Sequence, residues 1–218
     1  MGKTAILSLT AMIAGQIAVA MAIMTVPVLA PQISDDMNIE PSKIGLYSAV
    51  AFAGAITFTS AAGSVISRYG AIRTTQIALC LGAFGLCISL FMWIPAFIVG
   101  AFAVGMGYGV ATPAASHLLA RTIAPEKRGF IFSIKQSGVP IGGFLLGVTV
   151  PVIAFHNSWQ YGLLTIIFLL FLLSLILQLI RSLFDTGLEK NRKISPAETV
   201  AAVKLAITDI RLRPLALS

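Results

Sequence analysis

Six long apolar segments are the feature of this sequence that most limits how the chain can fold. A bilayer core about 30 Å thick is crossed by roughly 20 apolar residues in a helix, and each segment approaches or exceeds that length. Hydrophobic residues make up 57% of the 218 residues and charged residues only 11%, well below the roughly 25% charge of an ordinary soluble domain. The sequence therefore predicts an all-α membrane protein, with a six-transmembrane-helix bundle in residues 1–182 whose spans lie at approximately 5–30, 44–66, 75–92, 96–119, 130–154 and 160–181.

Basic residues alternate along the connections between these segments. Arg68 and Arg73 follow the second segment, a basic cluster at residues 121–128 follows the fourth, and a stretch rich in lysine and arginine begins at Arg181. The other three connections contain Lys43 as their single basic residue. Because positive charge near membrane-spanning ends is retained in the cytoplasm, this pattern predicts that both chain ends are cytoplasmic. It also accounts for the net charge of +7, so the expected partner is the lipid bilayer and not nucleic acid.

The chain becomes polar after the sixth segment. Residues 195–198 read Ser-Pro-Ala-Glu, which supplies a helix N-cap, a proline at the first helical position and a glutamate placed for a capping box. Apolar residues then recur at helical spacing, so residues 183–213 are predicted to form a cytoplasmic central loop with an amphipathic helix. Residues 214–218 are predicted to begin a truncated seventh transmembrane helix. This ending is typical of a fragment, with a missing C-terminal half or a second copy as the expected partner.

The connection between the second and third segments carries a recognisable motif. Residues 63–73 read Gly-Ser-Val-Ile-Ser-Arg-Tyr-Gly-Ala-Ile-Arg, which resembles the signature loop of the major facilitator superfamily, G-x-x-x-D-R-x-G-R-R. Gly63, Arg68 and Gly70 match, Arg73 lies near the trailing arginines, and Ser67 stands at the acidic position. The resemblance implies a gating role for the matching residues and Arg73. Gly63 is expected to admit a neighbouring helix, Gly70 to permit a tight turn, and Arg68 to cap helix C-termini.

The remaining segments resemble the same superfamily in the same order. Gly105, Gly107 and Gly109 resemble its glycine-rich fourth helix, and residues 125–129 resemble its fourth inside loop. The resemblance covers the chain as the first six of twelve helices plus the central loop. It implies a multi-pass protein of the bacterial cytoplasmic (inner) membrane and a secondary active transporter. In such transporters two bundles rock about a central site and give alternating access to a small solute.

The other classes of function are an enzyme, a homodimeric half-carrier and a membrane scaffold or sensor. The sequence contains no HExxH motif, no P-loop and no pair of buried carboxylates, so it predicts no enzyme, no catalytic residue, no cofactor and no metal site. A short six-helix protein acting as a homodimeric half-carrier is one alternative, because the two bundles of this superfamily are parallel repeats. A non-transporting membrane scaffold or sensor is the other.

Small residues are concentrated on the fourth and fifth segments. Those on the fifth resemble the antiporter motif G-P-x-x-G-G, except that one residue instead of two separates the proline from the glycine pair. Small residues let transmembrane helices approach closely. Helix packing is therefore the predicted role of Gly105, Gly109, Gly138, Pro140, Gly142, Gly143 and Gly147.

A lysine inside the fifth segment is the strongest candidate for a binding residue. Lys135 lies six residues past Gly129, hence roughly 9 Å into the membrane, where a lysine costs on the order of 2.5–3.5 kcal/mol. Steps of 100° around the helix place it with Gly138, Gly142 and Thr149, away from the apolar arc. The sequence predicts that Lys135 points into the bundle. The alternative is that its flexible stem extends to the membrane interface.

The predicted substrate site combines this charge with nearby polar groups. Lys135, Gln136, Gln16 and Tyr108 are the predicted substrate-binding residues, with Thr112 as a further cavity-lining candidate. No Asp or Glu lies within any of the six spans. The positive potential of Lys135 therefore favours an anionic small-molecule substrate, either organic or inorganic.

Overall fold

The computed structural model describes residues 2–189 and shows a bundle of α-helices in this range. Single-turn 3₁₀ helices, Pro41–Lys43 and Pro125–Lys127, precede the third and seventh α-helices. Five helical segments have the length and apolar character to cross a membrane, and a bent pair of helices supplies a sixth. The predicted six-span bundle is confirmed. The α-helices are α1 (Lys3–Val28), α2 (Ala30–Met37), α3 (Ile44–Thr59), α4 (Ala62–Tyr69), α5 (Ala71–Ser89), α6 (Ile94–Thr122), α7 (Arg128–Gln136), α8 (Gly138–His156) and α9 (Trp159–Phe184).

The second span, predicted as one run at about residues 44–66, is broken into two helices. Helices α3 and α4 meet at an angle of 60°. Hydroxyl groups next to the break donate to main-chain carbonyls of the same helix, from Thr57 to Ala53 at 2.8 Å and from Ser60 to Thr57 at 2.6 Å. Such bonds compete with the helical hydrogen-bond ladder and bend helices. The length of an apolar segment therefore does not predict whether its helix is continuous.

The helix of the fifth span is interrupted at Ser137. Helix α7 ends at Gln136 and α8 begins at Gly138. Pro140 has no main-chain N–H to donate to the carbonyl of Gln136, and its ring crowds the preceding turn. The break therefore follows from the proline, and it lies two residues from Lys135.

Helices α1 and α6 lie at the centre of the bundle. Helix α6 packs against α3, α5 and α1, and α1 packs against α8, α6 and α9. At the interface of α6 with α3, a Cβ added at Gly105 or Gly109 would overlap the carbonyl oxygen of Ala51 or Ala55. The close approach of these helices therefore requires glycine at both positions.

Both described ends of the chain lie at one end of the bundle. Near the start of α1, Ser8 Oγ lies 3.0 Å from Thr122 Oγ1 at the end of α6. The end of α9 bonds the start of α5 through Asp185. We call this the basic end, because Arg68, Arg73 and residues 121–128 also lie in its connections. The prediction that it faces the cytoplasm stays a prediction, and the predicted amphipathic helix and seventh span lie outside the described residues.

Candidate functional site

A stripe of polar residues runs along one face of α6. Tyr108, Thr112 and Ser116 follow one another at intervals of four residues and are all half-buried. Residues four apart lie on the same side of a helix, about 6 Å apart along its axis. The Tyr108 ring makes an edge-to-face contact with Phe52 of α3, with ring centroids 6.5 Å apart. The stripe thus forms a line of hydroxyl groups between the bundle interior and its outer face.

Two buried side chains from other helices join this stripe. Lys135 of α7 is 3% exposed, and its Nζ donates a hydrogen bond to Ser116 Oγ at 3.3 Å. Gln16 of α1 is 1% exposed, and its Oε1 accepts a hydrogen bond from Thr112 Oγ1 at 3.3 Å. We call these four residues, Lys135, Ser116, Gln16 and Thr112, the polar cluster; it joins α1, α6 and α7. Lys135 is therefore turned into the bundle, as its position on the helix predicted.

The polar cluster contains a charge without a counter-ion. Within residues 2–189, no carboxylate lies within ion-pair distance of Lys135, and its one polar contact is the hydroxyl of Ser116. In the same described part of the chain, the buried Nε2 of Gln16 has no hydrogen-bond partner. Removing a charge or an amide from water is costly unless a partner satisfies it. Among the described residues, the polar cluster therefore lacks a counter-ion for Lys135 and a hydrogen-bond acceptor for the Gln16 amide.

The hydrogen-bonding groups that remain free in the polar cluster indicate what kind of ligand it suits. The Gln16 oxygen is occupied by Thr112, and the Ser116 oxygen accepts from Lys135. An ammonium carries three donors and a serine hydroxyl carries one proton. The donors that remain are two protons on the ammonium, those on the Gln16 amide nitrogen and the Ser116 hydroxyl proton, and the ammonium is the one charged group among the four residues, whereas the remaining acceptors are neutral oxygens. Such a group matches a ligand that only accepts hydrogen bonds, as a carboxylate or another anion does.

The structure brings together some of the predicted binding residues and separates others. Lys135 and Gln16 belong to the cluster, and Tyr108 lies one turn beyond Thr112 on the same stripe. Gln136 is exposed on the outer side of α7, because it is rotated by 100° from Lys135. Ser116 was not among the predicted residues. Its spacing of four from Thr112 is the signal that could have identified it.

The glycines of α8 position this cluster against α1. A Cβ added at Gly138 would lie 3.2 Å from Cβ of Gln16, and one at Gly142 would lie 2.7 Å from the carbonyl oxygen of Ile17. A Cβ at Gly143 would contact Met24 Sδ at 3.3 Å. Pro140 and Thr149 are exposed instead.

The packing role predicted for Gly147 finds no counterpart in the described part of the chain. No atom there lies within 4 Å of a Cβ added at this glycine, because Gly147 lies on the exposed side of α8. The same holds for Gly63, which was expected to admit a neighbouring helix and is exposed on α4.

The signature loop is organised by a carboxylate from the other end of the sequence. Gly70 has φ +91° and separates α4 from α5. The Asp185 carboxylate accepts hydrogen bonds from the main-chain N–H groups of Ile72 at 3.0 Å and Arg73 at 2.9 Å. A Cβ at Gly70 would overlap the side chain of Asp185. Gly70 therefore provides both the positive φ of the turn and the space for the carboxylate that caps α5.

Arg68 was predicted to cap a helix C-terminus, but its described contact is with an aromatic ring. Its guanidinium carbon lies 5.3 Å from the centroid of the neighbouring Tyr69 ring, a cation–π contact. Arg128 has the capping role instead, since it donates to the carbonyls of Ala120 at 2.7 Å and Ile123 at 3.2 Å. Arg128 can reach these carbonyls because it follows α6 after a short turn, whereas the guanidinium of Arg68 contacts the ring of Tyr69.

Comparison with known proteins places these features in a family. A sequence model of the Major Facilitator Superfamily matches residues 12–218. The hexuronate transporter of Bacillus subtilis is 26% identical over 134 residues, which cover 61% of this chain and 32% of that protein. The 4-hydroxybenzoate transporter PcaK of Acinetobacter baylyi is 24% identical over 139 residues, which cover 62% and 30%.

Solved structures share the fold at low sequence identity. The proton:xylose symporter XylE, bound to 6-bromo-6-deoxy-D-glucose, gives a TM-score of 0.70 at 17% identity over 99% of this chain and 52% of its own. The peptide transporter POT in complex with sulfate gives 0.67 at 16% identity over 100% and 47%. The chain thus spans about half the length of these solved proteins and about a third of the two relatives. The chain is a multi-pass integral membrane protein and belongs to the Major Facilitator Superfamily.

Proposed function

We propose that this chain is the N-terminal half of a secondary active transporter for a small organic anion, with both ends in the cytoplasm. Transport proceeds by alternating access, in which two bundles rock about a site between them. The observation that carries the proposal is the buried ammonium of Lys135, whose described surroundings offer donors and no carboxylate. A carboxylate of the substrate supplies both the missing counter-ion and the missing acceptor.

The names of the relatives support an organic acid. Hexuronate and 4-hydroxybenzoate are both carboxylates, although one is a sugar acid and the other an aromatic acid. What the two solutes share is one anionic group joined to a neutral polar body. In the proposed site the carboxylate binds Lys135 and Ser116, and the amide N–H of Gln16 on α1, which lies beside Thr112 one turn away along α6, binds a second acceptor. The polarity of the cluster supports this assignment.

Access to the site requires movement of a nearby element. Lys135 and Gln16 are buried, whereas the hydroxyl stripe beside them is half-buried. The break between α7 and α8 at Ser137 adjoins Lys135, and a break at Pro or Ser is where a helix bends with least cost. We propose that tilting of α7 at this break uncovers the ammonium on the face where the second half completes the site.

The test is uptake by the complete gene product in proteoliposomes. Radiolabelled hexuronate and 4-hydroxybenzoate serve as probes, and xylose serves as a neutral control. Lys135→Ala should reduce uptake of the transported acid about 10- to 100-fold, because a charge-assisted hydrogen bond contributes about 1.5–3 kcal/mol. Lys127→Ala is the matched control, since Lys127 is an exposed lysine at the same end of the bundle.

Three outcomes would contradict parts of the proposal. Unchanged uptake by Lys135→Ala would exclude the anion-binding role. Preference for xylose over both acids would exclude the substrate class. No saturable uptake of any solute would favour the scaffold or sensor alternative. Sequencing the source DNA beyond the codon for Ser218 separates a second half in the same chain from a homodimeric half-carrier.

A further inference from the structure

A lateral groove runs along the outside of the bundle between α5 and α9. It has a volume of about 540 Å³, and its lining residues do not include any member of the polar cluster. Ile77, Cys80, Leu81 and Phe84 form its apolar part, and Cys80 and Phe84 are exposed. Its lining is apolar over most of its length, as expected for a surface in contact with lipid chains.

Polar residues occupy the groove at the basic end. Arg73 donates hydrogen bonds to Gln76 Oε1 at 3.2 Å and to Gln178 Oε1 at 3.5 Å. A second hollow, of about 280 Å³, is lined by Tyr69 together with Arg68 and Arg181. Tyr69 lines both hollows. Tyr69 is therefore common to the two hollows that Arg68, Arg73 and Arg181 line, and the guanidinium of Arg68 lies 5.3 Å from the centroid of its ring.

The positive charge of this arginine cluster is only partly balanced. Arg181 Nε lies 3.6 Å from an oxygen of Asp185, and that carboxylate also accepts the main-chain N–H groups at the start of α5. Within residues 2–189, Arg68 and Arg73 form no ion pair, since Arg73 contacts neutral amides and Arg68 contacts a ring. A guanidinium has five donors, so most of the donor capacity of both residues is unused.

The dimensions of the groove match one leaflet of a bilayer. Arg73 and Phe84 are 11 residues apart on α5, which is roughly 16 Å at 1.5 Å per residue. Half of a hydrocarbon core about 30 Å thick is about 15 Å. When the arginines lie at the level of the headgroups, the apolar part of the groove therefore extends to about the middle of the membrane.

We propose that this groove is a binding site for an anionic phospholipid. The phosphate lies among Arg73, Arg68 and Arg181, and one acyl chain lies along α5 past Cys80 to Phe84. Basic pockets between transmembrane helices bind anionic headgroups in this manner. An extended peptide does not suit the groove, because its main-chain polar groups would be unpaired in the hydrocarbon region. The site is independent of the transported substrate.

The experiment is native mass spectrometry of the full chain in detergent with added lipid. Phosphatidylglycerol and phosphatidylcholine with the same acyl chains are titrated, and the Kd of each is measured. Phosphatidylglycerol should bind more tightly. Arg73→Gln should weaken its binding about fivefold. Arg68→Gln provides the same test at a side chain whose described contact is with Tyr69 of its own helix, whereas Arg73 also contacts Gln178 of α9. Arg121→Gln is the matched control, because Arg121 is an exposed arginine at the same end. Cys80→Trp should fill the groove and weaken both lipids.

Particular results would overturn this assignment. Equal Kd values for the two lipids would mean that the site does not recognise anionic headgroups. An equal loss in Arg73→Gln and Arg121→Gln would indicate diffuse attraction to the whole basic end. Unchanged binding in Cys80→Trp would exclude the groove as the site of the acyl chain. Thermal stability without lipid, measured for each variant, separates loss of binding from loss of fold.

Discussion

Replacing Asp185 with alanine should destabilise the basic end of the bundle. The carboxylate accepts two main-chain N–H groups at the start of α5, and its side chain is only 2% exposed. Loss of a helix N-cap costs about 1 kcal/mol, and loss of a negative charge at a helix N-terminus adds about 0.3–1 kcal/mol. The ion pair with Arg181, which is one third exposed, adds at most about 1 kcal/mol. Asp185→Ala is therefore expected to lower the free energy of unfolding by about 2 kcal/mol.

The variant Asp185→Asn tests how much of the lost stability comes from hydrogen bonding and how much from the negative charge. The asparagine side chain keeps one acceptor oxygen where the carboxylate has two, and it has no charge. We expect about half of the effect of alanine. Thermal unfolding of the full chain in detergent, followed by fluorescence-detected size exclusion, should show a decrease in Tm of about 4–8 °C for alanine. Glu126→Ala is the control, because Glu126 is an exposed acid at the same end.

A double-mutant cycle with Gly70 tests the geometry itself. A Cβ at Gly70 would overlap the Asp185 side chain, and the φ of +91° disfavours any side chain there. Gly70→Ala should therefore be destabilising alone, and part of that cost should disappear when Asp185 is already alanine. A loss in Asp185→Ala no larger than in Glu126→Ala, or strict additivity in the cycle, would refute the assignment of Asp185 as the cap of α5.

Two further predictions concern helix contacts elsewhere in the bundle. Gly142→Ala should destabilise the protein by about 1–3 kcal/mol, because its Cβ would lie 2.7 Å from an α1 carbonyl, whereas Gly147→Ala should be neutral in the same thermal assay. Equal effects would contradict the packing described for α8. At the opposite end of the bundle, Trp159→Phe removes the hydrogen bond from Nε1 to Asp36 Oδ2 at 2.8 Å and should cost about 1–2 kcal/mol. Trp93→Phe, at an exposed ring, should cost less, and the reverse order would argue against that contact.

The apolar lengths and their period determined the architecture of this protein. A segment of about 20 apolar residues has few alternatives to crossing the membrane as a helix. The sixth span, predicted at about 160–181, is observed as Trp159–Phe184. Periodicity also placed Lys135 on the buried side of its helix. Both inferences depend only on local sequence, because the hydrocarbon core of the bilayer cannot hydrogen-bond the main chain and therefore favours helix.

Only the tertiary structure decided which residues meet. Asp185 and Ile72 are separated by 113 positions, Lys135 and Ser116 by 19, and Gln16 and Thr112 by 96. Helical period gives the direction in which a side chain leaves its own helix, but not which helix lies there or at what height. Ser67 stands where the signature motif has an acidic residue, and residues 63–73 contain no carboxylate. The sequence near the loop therefore does not indicate which carboxylate takes its place. The carboxylate comes from the end of α9, because packing of α9 against α5 brings that distant residue to the start of α5.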